Sequence, residues 1–218
     1  MVAQLLPRLR RMNDSLALRT LGLGAGAGML ALAVATKSRA VQRMDDAVER
    51  TVAPRRPRIA RAARIGTFPG EPYAHWPLGA AVAATVLITR GGPVRRAVVP
   101  MAGASLGAIV AHHSVKAVYR RVRPRHAVLR GKTEPAYPSG HTADATAVLA
   151  TGAYLLVRED LVEPSVAASV VATLALGVGA SRVALGMHWS SDVVGGWLTG
   201  IAVASGCALA YERLRAET

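Results

Sequence analysis

Residues 165–185 read SVAASVVATLALGVGASRVAL, and this stretch decides the fold. It holds one charge, Arg182, close to its C-terminal end. A hydrocarbon core about 30 Å thick needs roughly 20 helical residues to cross it. The stretch therefore reads as a membrane-length helix. Five more apolar runs lie around it: Leu21–Thr36, Trp76–Thr89, Ala97–Val118, Thr142–Val157 and Val193–Tyr211. The first, second and fourth runs of the chain are short, so they must extend into their flanks or sit in thin bilayer. The expected fold class is all-α, a polytopic membrane protein with a six-transmembrane-helix bundle.

Composition agrees with that class. Ala, Val, Leu and Gly supply the apolar content, and Phe68 is the single Phe in 218 residues. Small residues let helix backbones approach closely in membrane bundles. Cys207, the one cysteine, excludes an internal disulfide and reads as packing in an apolar run. The formal charge of +14 fits anionic lipid headgroups and phosphorylated substrates. Its cations gather between apolar runs with no interleaved aromatics and no zinc-finger or RNP-type motif, so nucleic acid is not the expected partner.

The N-terminal part has two competing features. Arg8, Arg10, Arg11 and Arg19 precede the first run, and Ala33-Val34-Ala35 resembles a signal-peptide cleavage site. A retained first helix is preferred, because the basic region is long and more apolar spans follow. From Lys37 to Tyr73 the chain is polar. Val41, Met44, Val48 and Val52 recur at helical spacing with Arg43, Asp45, Asp46, Glu49 and Arg50 between them. This reads either as an amphipathic helix along the membrane surface or as a solvated loop, ended by Pro54-Arg55-Arg56-Pro57. The chain thus divides into residues 1–74, a basic segment with one membrane helix and a surface stretch, and residues 75–218, a membrane domain.

Three short blocks carry chemistry: Lys116-x6-Arg123-Pro124, then Pro138-Ser139-Gly140-His141, then Ser181-Arg182-x5-His188-x3-Asp192. Lys116 ends the third run, His141 begins the fourth, Arg182 is near the end of the fifth, and Asp192 precedes the sixth. Alternating spans reverse direction, so all four ends meet on one membrane face. Arg123 and Arg182 can clamp phosphate oxygens in planar forks while Lys116 adds a point charge. Ser139 can cap a helix or donate to a phosphate oxygen, and Gly140 lets the backbone approach closely. Asp192, four residues after His188, can hold one ring nitrogen protonated and leave the other free to attack phosphorus. His141 has no acidic partner in its own block and suits protonation of a leaving oxygen.

These blocks resemble the type 2 phosphatidic acid phosphatase (PAP2) superfamily, which includes lipid phosphate phosphatases and vanadium haloperoxidases. The likeness covers residues 116–192 closely, takes in Gly186-Met187-His188-Trp189 and Gly195-Gly196, and extends through the span layout to about residue 212. It implies a PAP2-type bundle with a phosphohistidine intermediate on His188. His141 would be the acid for the leaving group and then the base for water. Lys116, Arg123, Ser139, Gly140 and Arg182 would bind the phosphoryl group, with Asp192 behind His188. No metal and no cofactor are implied. The substrate expected is a membrane lipid phosphate, such as a polyprenyl diphosphate or a glycerolipid phosphate. The alternatives are a vanadate-dependent haloperoxidase and a non-catalytic lipid-binding or transfer protein of the same fold.

Other residues are expected to be peripheral. His112 and His113 point different ways on one helix, neither catalytic. His75 and Trp76 read as an interfacial anchor. His126 reads as part of a solvated loop, with substrate contact as its alternative. Arg120, Arg121, Arg125, Arg130 and Lys132 attract an anionic substrate or lipid, or are surface charge. Glu134 and Asp144 receive no role. The resemblance implies a plasma-membrane protein whose active site faces the extracytoplasmic side. The nine cations from Lys37 to Arg64 oppose that orientation under the positive-inside rule.

Overall fold

The computed structural model of the chain describes residues 2–52 and 57–217, with side chains for 14–52 and 59–217. All six apolar runs are helical: α1 (Val2–Ala35), α4 (Pro72–Arg90), α5 (Val94–Val118), α7 (Gly140–Arg158), α8 (Pro164–Ala184) and α9 (Ser190–Ala216). Between them lie α2 (Arg39–Val52), α3 (Pro57–Gly66), a 3-10 turn at Phe68–Gly70 and the short α6 (Arg125–Leu129). The break expected at Pro54-Arg55-Arg56 and the side chains of Arg8, Arg10 and Arg11 lie outside the described residues. Pro72 and Pro164 open α4 and α8, where a missing N–H costs nothing. Gly91, at φ 68°, lets the chain leave α4.

Among the described residues, four helical stretches are long and apolar enough to cross a membrane by length and composition: Asp14–Ala35 of α1, then α5, α8 and α9. The helices α4 and α7 are less apolar, and for α7 the reason is its place in the bundle. It packs against α4, α5, α8 and α9, so Thr142, Asp144, Thr146 and Thr151 are buried against protein.

Close packing of α7 on α9 depends on Gly196 and Gly200 of α9. A Cβ on Gly200 would lie 2.5 Å from Thr146 Cβ and 2.8 Å from Ala143 O. One on Gly196 would lie 2.7 Å from Ser139 O. Small residues at four-residue spacing allow this approach. The main core joins Val86 of α4, Met101 of α5, Val148 and Leu155 of α7, and Cys207 and Tyr211 of α9. On its other side α9 is flanked by α1, and the Tyr137 hydroxyl donates to Met29 O of α1.

The end of the bundle remote from the three blocks is closed by charge. The buried Glu159 carboxylate receives hydrogen bonds from Arg96 and Tyr211, and Arg90 Nε donates to its carbonyl at 2.9 Å. Arg158 pairs with Glu212 at 2.7 Å and reaches Asp14 at 3.6 Å, which places the start of α1's apolar stretch at this end.

At the opposite end α2 is a helix, but it is not simply laid on a membrane surface. It docks on α8 and α9 with Asp45 only 1% exposed. Asp45 was expected among the solvated polar residues and is instead one of the most buried carboxylates. Beside α2, α3 packs on α8 through Ala63, Ala184 and Leu185.

Candidate active site

Helix ends and the loops between them form the site. Lys116 lies in the last turn of α5, His141 in the first turn of α7, Arg182 in the last turn of α8 and Asp192 in the first turn of α9. Arg123 comes from the loop after α5, and His188 from the turn joining α8 to α9. A cavity of about 850 Å³ opens among Lys116, Arg123, Gly140, His141, Arg182 and His188. Ser139 and Asp192 are fully buried behind its wall.

Backbone carbonyls and one side-chain hydroxyl hold the cations in place. Lys116 Nζ donates to Pro135 O at 2.6 Å. Arg123 donates from Nε to Glu134 O at 2.7 Å and from Nη1 to Met187 O at 2.9 Å. Arg182 Nη1 donates to Thr67 Oγ1 at 3.0 Å. Ser139 differs from its expected cap: its Oγ accepts from Thr142 Oγ1 at 3.0 Å, and its backbone N–H donates to Asp192 O at 2.9 Å. That last bond joins the starts of α7 and α9. Gly140 packs against the His112 ring, which a Cβ would meet at 3.0 Å.

The His188 ring has two distinct sides. Arg123 Nη1 lies 3.1 Å from Nε2. A guanidinium only donates, so Nε2 is the acceptor and the ring proton sits on Nδ1. Nδ1 faces Asp192 Oδ2 at 3.6 Å, beyond a hydrogen bond. The expected pairing through one helical turn is thus looser and differently built, because α9 begins only at Ser190. Asp192 Oδ2 instead accepts the Trp189 N–H at 2.9 Å, and Oδ1 accepts Arg121 Nη1 at 2.7 Å. Burial, then the charges of Arg123, Arg182, Lys116 and His141, push His188 well below the ordinary imidazole pKa.

Three residues other than the fixed positions of the blocks complete these contacts. Glu71 Oε1 lies 3.1 Å from His141 Nε2, so His141 does have an acidic partner, supplied from before α4. Thr67 holds Arg182 as described. Arg121 is not surface charge: its guanidinium bridges Asp192 and Asp45, each at 2.7 Å. Among the described residues, no group of three His, Cys, Asp or Glu side chains is placed to hold a metal ion.

The sequence profile of the PAP2 superfamily matches residues 97–216, more than half of the chain. The chain belongs to the PAP2 superfamily. It is 38% identical over 87 residues to phosphatidylglycerophosphatase B of Bacillus subtilis (strain 168), a stretch covering 37% of this chain and 41% of that protein. The match therefore spans less than half of that relative's length. The fold also superposes on the crystal structure of the first transmembrane PAP2 type phosphatidylglycerolphosphate phosphatase from Bacillus subtilis. There the TM-score is 0.77 at 25% identity, with 86% of this chain and 94% of that chain covered. With its apolar helices, this PAP2 chain is an integral membrane protein.

Every residue of the three blocks lies inside the region matched to PAP2, whereas Asp45, Thr67 and Glu71 precede it. No local signal in the sequence singles them out, since each meets its partner only through the fold. The remaining residues divide simply. His112 is buried with Nε2 3.4 Å from Asp144 Oδ1, while His113 is exposed and bonds Ile109 O of its own helix. His75 is fully buried, which corrects the interfacial reading, and Trp76 beside it is exposed. His126 packs over Gly186. Arg120, Lys132 and Glu134 line the same cavity as the block residues.

Proposed function

We propose that the protein is a membrane phosphatase that hydrolyses a lipid phosphate or diphosphate through a phosphohistidine on His188. The observation carrying this is the orientation of His188, with its lone-pair nitrogen toward Arg123 and the cavity and its Nδ1 toward Asp192. In the first step the Nε2 lone pair attacks phosphorus and the bond to the lipid oxygen breaks. His141 gives its proton to that oxygen, and Lys116, Arg123 and Arg182 stabilise charge on the non-bridging oxygens. Backbone N–H groups at the start of α7, from Gly140 onward, add to this anion binding, with Ser139 setting the turn before them. In the second step His141 takes a proton from water, the water oxygen attacks phosphorus, the P–N bond breaks and inorganic phosphate leaves.

A lipid substrate is supported by the position of the cavity at helix ends, where a tail can remain in the bilayer while the headgroup enters. The volume exceeds the need of one phosphate, and Arg120 and Lys132 line it as further cations. That favours a headgroup bearing a second anionic group, as in a polyprenyl diphosphate or phosphatidylglycerophosphate, the latter being what the named relatives act on by title. The proposed topology has six spans in the plasma membrane with the site on the extracytoplasmic face. This orientation rests on the PAP2 resemblance; under the positive-inside rule Arg90, Arg96, Arg158, Arg213 and Arg215 at the remote end favour it, and the nine cations from Lys37 to Arg64 oppose it.

Purified protein assayed for phosphate release over lipid and soluble phosphates tests the substrate class, and turnover of soluble sugar phosphates alone rejects a lipid. His188→Ala and His141→Ala should each abolish release, and release surviving both rejects the chemistry. Vanadate-dependent halide oxidation would replace it with the haloperoxidase reading. A cysteine at Arg130 should react with an impermeant reagent in intact cells, and labelling only after permeabilisation reverses the orientation.

A further inference from the structure

Asp45 is 1% exposed and its carboxylate is hydrogen-bonded from several sides. Oδ1 accepts from Ser190 Oγ at 2.7 Å and Ser191 N at 2.9 Å. Oδ2 accepts from Ser191 Oγ at 2.6 Å and Arg121 Nη2 at 2.7 Å. Burial alone would push this carboxyl up, but the bonds from Ser191, Ser190 and Arg121 outweigh it and hold it below the usual carboxylate pKa. Asp45 is therefore an anion in a buried setting, and a buried anion is tolerated only with such partners.

Charge counting makes the position informative. Arg121 is one cation shared by two carboxylates, Asp45 and Asp192. Burial pushes the Asp192 carboxyl up to about 6, so above that pH both carboxylates are ionised and the trio keeps one net negative charge on the Nδ1 side of His188. On the other side stand Lys116, Arg123, Arg182 and His141. When Nε2 bonds to phosphorus with a proton still on Nδ1, positive charge develops on the ring. A negative charge behind Nδ1 stabilises it, as the carboxylate of a nucleophile triad does. Were Arg121 paired with Asp192 alone, the two would cancel and that stabilisation would shrink. Asp45 also clamps the Ser190–Ser191 turn from which α9 presents Asp192.

We propose that Asp45, from a helix outside the PAP2-matched region, is a positioning residue for catalysis that keeps Asp192 electrostatically available to His188 by sharing Arg121. This rests on the reading of His188 as nucleophile given above.

The test uses full-length purified protein and the best lipid phosphate from the panel. D45N should lower kcat about 10–100-fold, the range for removing an outer-shell partner, with KM within roughly twofold. D46N, at the exposed neighbour, should behave as wild type. The double variant D45N/R121Q should be faster than D45N, because removing the shared cation leaves the charge of Asp192 uncancelled again. Wild-type kcat in D45N, or a D45N/R121Q protein no faster than D45N, overturns the proposal. If D45N does not fold, S190A removes one donor to Asp45 without touching Asp192. It should still lower kcat at unchanged KM, and wild-type kcat there overturns the proposal equally. H188A separates the two readings. Phosphate release persisting in H188A defeats the nucleophile assignment, whereas an inactive H188A beside a fully active D45N defeats only the role of Asp45.

Discussion

Replacing Gly200 by alanine tests whether the site depends on the spacing of α7 and α9. The new Cβ would stand 2.5 Å from Thr146 Cβ and 2.8 Å from Ala143 O. Carbon atoms rest comfortably at about 3.5–4.0 Å, so roughly 1 Å must be absorbed. The oxygen belongs to the α7 backbone and cannot swing aside, so the helices must part. Overpacking of this size costs about 1–3 kcal/mol. Higher helix propensity of alanine returns about 0.8–1 kcal/mol, for a net loss of about 0–2 kcal/mol. The catalytic effect should be larger, since Ser139 N bonds Asp192 O at 2.9 Å across the same interface. A misplacement of about 1 Å can cost 10²-fold in rate. The assay pairs the thermal midpoint in detergent with kcat for phosphate release. Gly206→Ala, on the same helix with nothing within 4 Å of its added Cβ, serves as control and should be neutral or stabilising. A Gly200→Ala protein with the midpoint and kcat of wild type would refute this account of the interface.

Three further outcomes are expected. Glu71→Gln should lower kcat by no more than about fivefold, because a partly exposed ion pair is worth about 1 kcal/mol or less. The loss should be greatest on the alkaline limb, where His141 must keep its proton, and an unchanged alkaline limb would count against the pairing. Arg123→Lys cannot satisfy Glu134 O, Met187 O and His188 Nε2 together. It should lose about 10–100-fold in kcat/KM, at 1.5–3 kcal/mol per charged hydrogen bond, and near-normal kcat/KM would argue against the fork. Because the pKa of His188 is depressed, the ring stays neutral and nucleophilic as pH falls through 6.5 and is protonated only well below it. Activity should therefore persist below pH 6.5. A kcat/KM profile whose acid limb falls at or above the ordinary imidazole value would contradict this.

The three blocks were legible in sequence because each is local and each sits at the end of an apolar run. Helix parity then sufficed to bring Lys116, His141, Arg182 and Asp192 to one end. The limits of the helices were less legible: the apolar runs Trp76–Thr89 and Val193–Tyr211 lie inside helices Pro72–Arg90 and Ser190–Ala216, because the polar residues at the helix ends carry no apolar signal. Hidden were the pairs that only tertiary packing makes. Asp45 looks like one more polar residue on an amphipathic helix, and Arg121 like one of five loop cations. The burial of both follows from docking of α2 on α9, which no spacing encodes. His75 was misplaced because its neighbour Trp76 does face outward, and adjacent helical residues need not share an environment. His188 and Asp192 are four apart, as expected, but the helix starts between them, so the spacing overstated their contact.

The bond between Asp45 and Ser191 joins residues 146 positions apart. A ribosome adding about 5–20 residues per second needs roughly 7–30 s to cover that interval. Arg121 follows after 76 positions, about half of that time, and the Ser190–Ser191 turn is lacking for all of it. An anion without partners is costly to hold away from water. Its place on an amphipathic helix, rather than on a membrane-spanning one, allows it to wait hydrated until α9 arrives. A nascent chain stalled before α9 would thus have an unclosed, inert cradle, so that hydrolytic competence comes only once α9 has been made.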